Sequence, residues 1–212
     1  MQTTDWAAWH AKYADASAPL SRRLQLITGL VDGWLDRTAS AEVRILSVCA
    51  GDGRDLIGVL HRRADAARVQ ADLLELDGRL VAAARDGSAG LDGVRVHRCD
   101  AGDASSYADL TGADLVLLAG VFGNIPDADV ERLIAVLPQL CRPQALVIWT
   151  RHRRPPDLTG AIREWFTKRS FVEESFTAPA DVHFAVGAHR FAGEPQPMSA
   201  WPATGRLFTF FR

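Results

Sequence analysis

Val43–Leu56, VRILSVCAGDGRDL, is the stretch on which the reading of this chain turns. Val43 to Val48 form an apolar run broken only by Arg44 and Ser47, which predicts a buried strand. The run gives way to small residues around Gly51 and Gly53. From Asp55 onward, Leu56, Val59 and Leu60 fall at helical spacing. Strand, glycine loop and helix in that order predict the opening of an open α/β sheet. Glycine serves there because the backbone approaches a ligand closely while helix N–H groups face it. A single GxG also occurs in many tight turns, so the ligand has to be read from the rest of the chain.

A second apolar run, Ala71–Leu76, carries Glu75 near its tip. Glu75 follows Gly53 by about 22 residues, the distance at which an acid meets a ribose diol in nucleotide-binding α/β sheets. A carboxylate suits two vicinal hydroxyls because it accepts a hydrogen bond from each. A third strand, Val94–Cys99, delivers Asp100 at its end, and a fourth, Asp114–Leu118, runs into AGVFGNIPDADV. The strand ends thus place small or acidic residues along one edge of a parallel sheet, where such sheets bind ligands. A dinucleotide reading fares worse: in GxGxxG the third glycine falls on Leu56, and no second nucleotide-binding unit follows.

These residues resemble the glycine motif of the class I S-adenosylmethionine-dependent methyltransferases, hydrophobic–acidic–x–G–x–G–x–G. Ser47 stands at the acidic position and Cys49 at the first glycine, while Gly51 and Gly53 match the other two. The resemblance covers most of the chain. It implies that Ser47, Ala50, Gly51 and Gly53 meet S-adenosylmethionine at the loop and that Glu75 and Leu76 take the ribose side. Asp100 and Ala101 would read the adenine edge, and Gly120 and Val121 would lie beside the adenosine and methionine moieties. It further implies a Rossmann-like α/β fold with a mostly parallel seven-stranded sheet and an antiparallel strand near the C-terminus. Helices would cover both faces, with an N-terminal helical lid. Strand five (Ala145–Thr150), a helix (Leu158–Lys168) and a closing pair (Phe171–Thr177, Phe184–Arg190) fit that ending. The words CAGDGRD, GVFGNIPDADV, WTRHRRPPDLT and VGAHRFAGEPQP resemble a group of uncharacterised actinobacterial methyltransferases. Ser47 supplies no negative charge near the cofactor's cationic end, and Cys49 carries a Cβ where glycine gives the closest approach.

Composition agrees with one enzyme-sized unit: 212 residues, 48% of them hydrophobic. We read residues 1–38 as a helical cap and 39–212 as the cofactor-binding domain. The net charge of −2 gives no electrostatic reason to expect nucleic acid as a partner. The start lacks a basic-then-apolar pattern, and no apolar run reaches membrane-spanning length. Cys49, Cys99 and Cys141 are odd in number and lack metal-ligand spacing, so they read as reduced thiols of a cytoplasmic protein without a metal site.

Asp5–Asp36 reads as two helices interrupted around Ser17–Pro19. In the second, Leu20, Leu24, Ile27, Val31 and Trp34 form a buried stripe. In the first, Trp6, Trp9 and Tyr13 are candidates to wall an acceptor pocket, with His10 facing it as a candidate catalytic group. Thr150–Pro156, TRHRRPP, reads as a loop after strand five. Arg151 is its candidate for binding an anionic acceptor through the guanidinium fork. His152 is the candidate general base, kept neutral by its arginine neighbours, and Asn124 is a candidate to orient the acceptor. His183 and His189 share a face of a late strand, where a structural role is expected. No Asn/Asp–Pro–Pro–aromatic motif follows strand four, which disfavours nucleobase and glutamine-amide methylation. The expected function is in-line methyl transfer from S-adenosylmethionine to the oxygen or nitrogen of a small molecule. Two alternatives stand beside it: another chemistry of the same cofactor, such as cyclisation, and a non-catalytic cofactor-binding module. The sequence leaves the oligomeric state open.

Overall fold

Strands that are apolar on both faces need cover on both sides, and the chain alternates strands with helices to provide it. A computed structural model describes residues 18–197 and 205–211. Seven strands form one sheet: β1 (Val43–Val48), β2 (Val69–Glu75), β3 (Val94–Arg98), β4 (Ala113–Leu118), β5 (Cys141–His152), β6 (Phe171–Thr177) and β7 (Phe184–Phe191). Their order is β3-β2-β1-β4-β5-β7-β6. Only β7 runs antiparallel to the rest, pairing with β5 on one side and β6 on the other. From β1 the chain first winds outward through β2 to β3, then returns to build β4 and β5 on the other side of β1. That reversal leaves a crevice at the carboxyl ends of β1 and β4, where open α/β sheets bind ligands.

The sequence expectation fails most visibly at β5. The strand does not stop at Thr150 but continues to His152, with Arg151 opposite Ala185 and His152 opposite Phe184. Antiparallel β7 supplies backbone partners for two further residues, so the start of TRHRRPP is strand rather than loop. The helix after the glycine loop is also shorter than its apolar spacing suggested.

Among the described residues five α-helices pack on the sheet: α1 (Pro19–Arg37), α2 (Ile57–Leu60), α3 (Gly78–Gly87), α4 (Asp127–Leu140) and α5 (Thr159–Lys168). On α1, Pro19 sits in the first turn, and Ile27, Val31 and Trp34 of the predicted stripe are buried together with Leu35. Leu20 and Leu24, also in that stripe, are half-buried. At the start of α3, Asp77 accepts hydrogen bonds from Arg79 N at 2.7 Å and Leu80 N at 3.3 Å, capping two N–H groups that the helix leaves unpaired.

Each face of the sheet has its own core. Ile27, Val31 and Trp34 of α1 join Leu56, Ile57 and Val59 over β1 and β2. On the other face α4 and α5 cover β4 and β5, around an aromatic group of Phe122, Trp149, Phe166 and Phe171. Trp149 stacks on Phe166 at 6.2 Å between ring centroids. Among the described residues no helix is long and apolar enough to cross a membrane.

Candidate functional site

The glycine loop repeats one backbone conformation at every second residue. Cys49, Gly51 and Gly53 have φ of 54°, 62° and 70°, all left-handed. These are the three glycine positions of the G–x–G–x–G pattern, two of them matched in the sequence. Cys49 therefore performs the turn of the first glycine despite its Cβ, at a cost of roughly 1–2 kcal/mol. Gly53 is glycine for a second reason: a Cβ there would lie 2.6 Å from Ile57 Cδ1 and 2.7 Å from Leu73 Cδ2. It seats the loop on β2 and α2 rather than facing a ligand.

Glu75 fixes the loop to the end of β2. Its Oε2 accepts from Gly51 N at 2.8 Å, and its Oε1 accepts from Leu76 N and Asp77 N, each at 2.8 Å. A carboxylate has about four acceptor positions, so about one remains for a ligand hydroxyl. Asp100, just beyond β3, accepts from Gly102 N at 2.8 Å and from Arg206 Nη1 at 2.8 Å. Beyond β4, Gly120 N donates to Thr150 Oγ1 at 2.8 Å, and Asn124 Nδ2 donates to Gly120 O at 2.6 Å.

These strand ends enclose a cleft of about 460 Å³, within the roughly 300–1,000 Å³ typical of small-molecule sites. Ala50, Gly51, Glu75, Leu76, Asp100, Ala101, Gly120 and Asn124 line it together. Arg23, Leu24 and Ile27 of α1 form one wall, and Phe208, Phe210 and Phe211 form another. The C-terminal strap that carries the phenylalanines is held by backbone bonds from Leu207 N to Gly102 O and from Phe211 N to Asn124 O, each 2.8 Å.

Other residues singled out from the sequence sit elsewhere. Ser47 is 2% exposed within β1, and Val121 is fully buried in the core beside Phe122. Arg151 is 7% exposed; its Nη1 donates to Phe122 O and its Nη2 to Asp127 Oδ1 at 3.0 Å. Its charge joins β5 to the segment leading into α4 and is spent inside the chain. His152 does not line the cleft; its ring lies beside Gly123, and its Nδ1 is buried without a hydrogen-bond partner. Its pKa is lowered first by burial and only then by Arg151 and Arg154. His183 is exposed ahead of β7, whereas His189 is fully buried and accepts from Trp149 Nε1 at 3.1 Å. Trp6, Trp9, His10 and Tyr13 lie outside the described residues. Among the described residues no group of His, Cys, Asp or Glu could hold a metal ion.

Sequence reasoning missed the strap and Asp55. The apolar cluster of Leu207, Phe208, Phe210 and Phe211 was its one available signal. Asp55 was noted only as the start of a helix. It is 7% exposed, lines the cleft, and has a buried Oδ1 without a hydrogen-bond partner. Burial raises its pKa to about 6 and Asp52 adds to the rise, while hydrogen bonds from the backbone N–H groups of Asp55 and Leu56 and the charge of Arg23 oppose it.

Solved structures superpose on most of this chain. The fold is that of the class I methyltransferases. The N-methyltransferase NodS from Bradyrhizobium japonicum, in complex with S-adenosyl-L-homocysteine, superposes with a TM-score of 0.63 at 14% identity. The match covers 84% of this chain and 90% of that one. A TehB-like SAM-dependent methyltransferase from Corynebacterium glutamicum gives 0.62 at 16% identity, over 87% of this chain and 95% of that one. An O-methyltransferase family protein from Burkholderia thailandensis gives 0.63 at 16% identity, over 81% of this chain and 57% of that one. This chain therefore spans little more than half of that longer protein. No family model and no curated protein matches the sequence. The class I methyltransferase fold places its cleft at the β1–β4 edge, where the strand order reverses.

Proposed function

We propose that the cleft binds S-adenosylmethionine and that the protein transfers its methyl group to a small-molecule acceptor. The observation that carries this reading is the meeting of Gly51, Glu75, Leu76, Asp100, Ala101 and Gly120 in one cleft, in the order expected from the sequence. The residues suit the cofactor chemically. Glu75 keeps an acceptor position for a ribose hydroxyl, and Asp100 keeps acceptor capacity beside the backbone of Ala101. Leu76 and Phe211, 60% and 58% exposed on the rim, are large apolar side chains that a planar base would cover. The structural neighbours, one carrying S-adenosyl-L-homocysteine, support the same reading. When bound, the cofactor supplies an electrophilic methyl on sulfur.

The protein's own work is then to position two reactants and exclude water, which alone is worth about 7–11 kcal/mol. Asn124, with Nδ2 committed to Gly120 O, retains its amide oxygen to orient an acceptor hydroxyl or amine. Beside its charged residues the cleft has an apolar wall of Leu24, Ile27, Phe208 and Phe210, so the proposed acceptor has an apolar body with an oxygen or nitrogen nucleophile. An anionic acceptor loses its sequence support because Arg151 is engaged with Phe122 and Asp127. We keep residues 1–38 as a cap, on the ground that α1 already walls the cleft through Arg23, Leu24 and Ile27. The three free cysteines support a reducing, cytoplasmic setting.

Calorimetry with S-adenosylhomocysteine tests the reading. The wild-type protein should bind, and Glu75→Ala should weaken binding by about 1.5–3 kcal/mol, the scale of a hydrogen bond to a charged group. No heat and no thermal shift at millimolar ligand would overturn it. Product analysis with candidate acceptors then separates the chemistries. Methyl transfer leaves S-adenosylhomocysteine, cyclisation leaves methylthioadenosine, and a binding module leaves the cofactor intact.

A further inference from the structure

The other carboxylates of the cleft have partners within the chain. Glu75 accepts three backbone N–H bonds, Asp52 pairs with Arg54, Asp77 caps α3, and Asp100 pairs with Arg206. Asp55 differs. Its side chain is more than nine-tenths buried, it lines the cleft between the glycine loop and α2, and its Oδ1 has no hydrogen-bond partner. A buried, incompletely satisfied carboxylate is costly, and a ligand that brings a donor relieves the cost. Ser47, at the motif's acidic position, is neutral and enclosed within β1, so the loop's own strand provides no acid.

We propose that Asp55 receives the α-ammonium group at the amino-acid end of the bound cofactor, in place of the acid missing at Ser47. This rests on the cofactor reading above. The ammonium, not the sulfonium, is the matching group because it brings N–H donors to an oxygen with open acceptor positions, whereas a sulfonium has none. Arg23, on α1, is the cation whose field reaches Asp55 from the opposite wall. An acid and a facing arginine complement the ammonium and carboxylate of an amino-acid head. Within the loop, Asp52 is the like charge that acts on Asp55.

The test compares two ligands that both lack the sulfonium and differ in the amino-acid end. Asp55→Asn should weaken S-adenosylhomocysteine about 10- to 100-fold and leave methylthioadenosine unchanged, with a thermal melt confirming that the variant folds. A second measurement follows wild-type affinity for S-adenosylhomocysteine with pH. With Asp55 at about 6 in the free protein, binding should weaken as pH falls from 7.5 to 5, since a proton must then leave on binding. In Asp55→Asn that loss should flatten. Unchanged S-adenosylhomocysteine affinity in the variant, an equal loss for both ligands, or an unaltered pH profile would overturn the assignment. If the wild-type protein bound neither ligand, the cofactor reading itself would fall, an outcome distinct from these.

Discussion

Two regions of the same sheet treat their polar residues in opposite ways. At the β1–β4 edge, Glu75, Asp100 and Asp55 gather around a cleft, and each keeps acceptor capacity that the chain does not exhaust. At the β5–β7 side, equally suggestive residues are consumed by packing. Arg151 joins Phe122 O to Asp127, and His189 lies 4.4 Å from Phe166 between ring centroids while accepting from Trp149. The lesson is that residue type and position at a strand end do not make a site. What matters is whether the fold leaves the side chain's bonding capacity open toward a cavity. Perturbing the β5–β7 side should accordingly change stability while cofactor affinity holds, and perturbing the cleft should do the reverse.

The severest challenge to that division is Gly187→Ala on β7. A Cβ there would overlap the fully buried indole of Trp149, a rigid ring held among Phe122, Phe166 and Phe176. Overpacking of this kind should cost about 3 kcal/mol or more, read as a lower denaturant midpoint. S-adenosylhomocysteine affinity of the folded fraction should stay the same. A variant of unchanged stability would show that the aromatic group is loosely packed.

Acid should act through His189. Burial holds its pKa down at about 4 against an ordinary 6.5, and its Nδ1 is the acceptor that Trp149 needs. The folded protein therefore binds this proton less readily than the unfolded chain. The associated stability is fully present above pH 6.5 and is lost as pH falls toward 4, by about 3 kcal/mol. Urea titrations at pH 7 and pH 4.5 on the wild-type protein and His189→Gln measure it. The slope with pH should be shallower in the variant, and parallel slopes would place the acid sensitivity elsewhere.

A smaller effect sharpens the contrast at the point where sequence and structure part. Arg151→Met keeps the packing stem and removes the guanidinium. Phe122 O loses its donor, while Asp127, about half exposed, returns to water. The expected loss is about 1–3 kcal/mol of stability with cofactor affinity unaltered. A fall in ligand affinity without a fall in stability would return Arg151 to the site and erase the distinction drawn here.

The residues that line the cleft were legible in the sequence because their signals are local. Left-handed backbone at alternate loop positions demands small residues, and the acid at the tip of β2 follows at a distance set by one helix and one strand. The limits of β6, Phe171–Thr177, were also read correctly. Arg151, His152 and Asp55 were misjudged because their roles depend on neighbours remote in the chain. Arg151 meets Phe122 and Asp127, His152 meets Phe184 across the sheet, and Asp55 faces Arg23 from α1.

By itself, then, the sequence determined the α/β class, the strand sequence and the glycine turn, all of which follow from periodicity and backbone sterics over short spans. The tertiary structure decided which charged groups remain available to a ligand. It did so by extending β5 alongside antiparallel β7, by burying Arg151 against Phe122 O and His189 against Phe166 and Trp149, and by bringing the Arg206–Phe211 strap across Asp100. Availability is a matter of burial and of unspent hydrogen-bonding capacity, and both are fixed only when distant segments meet.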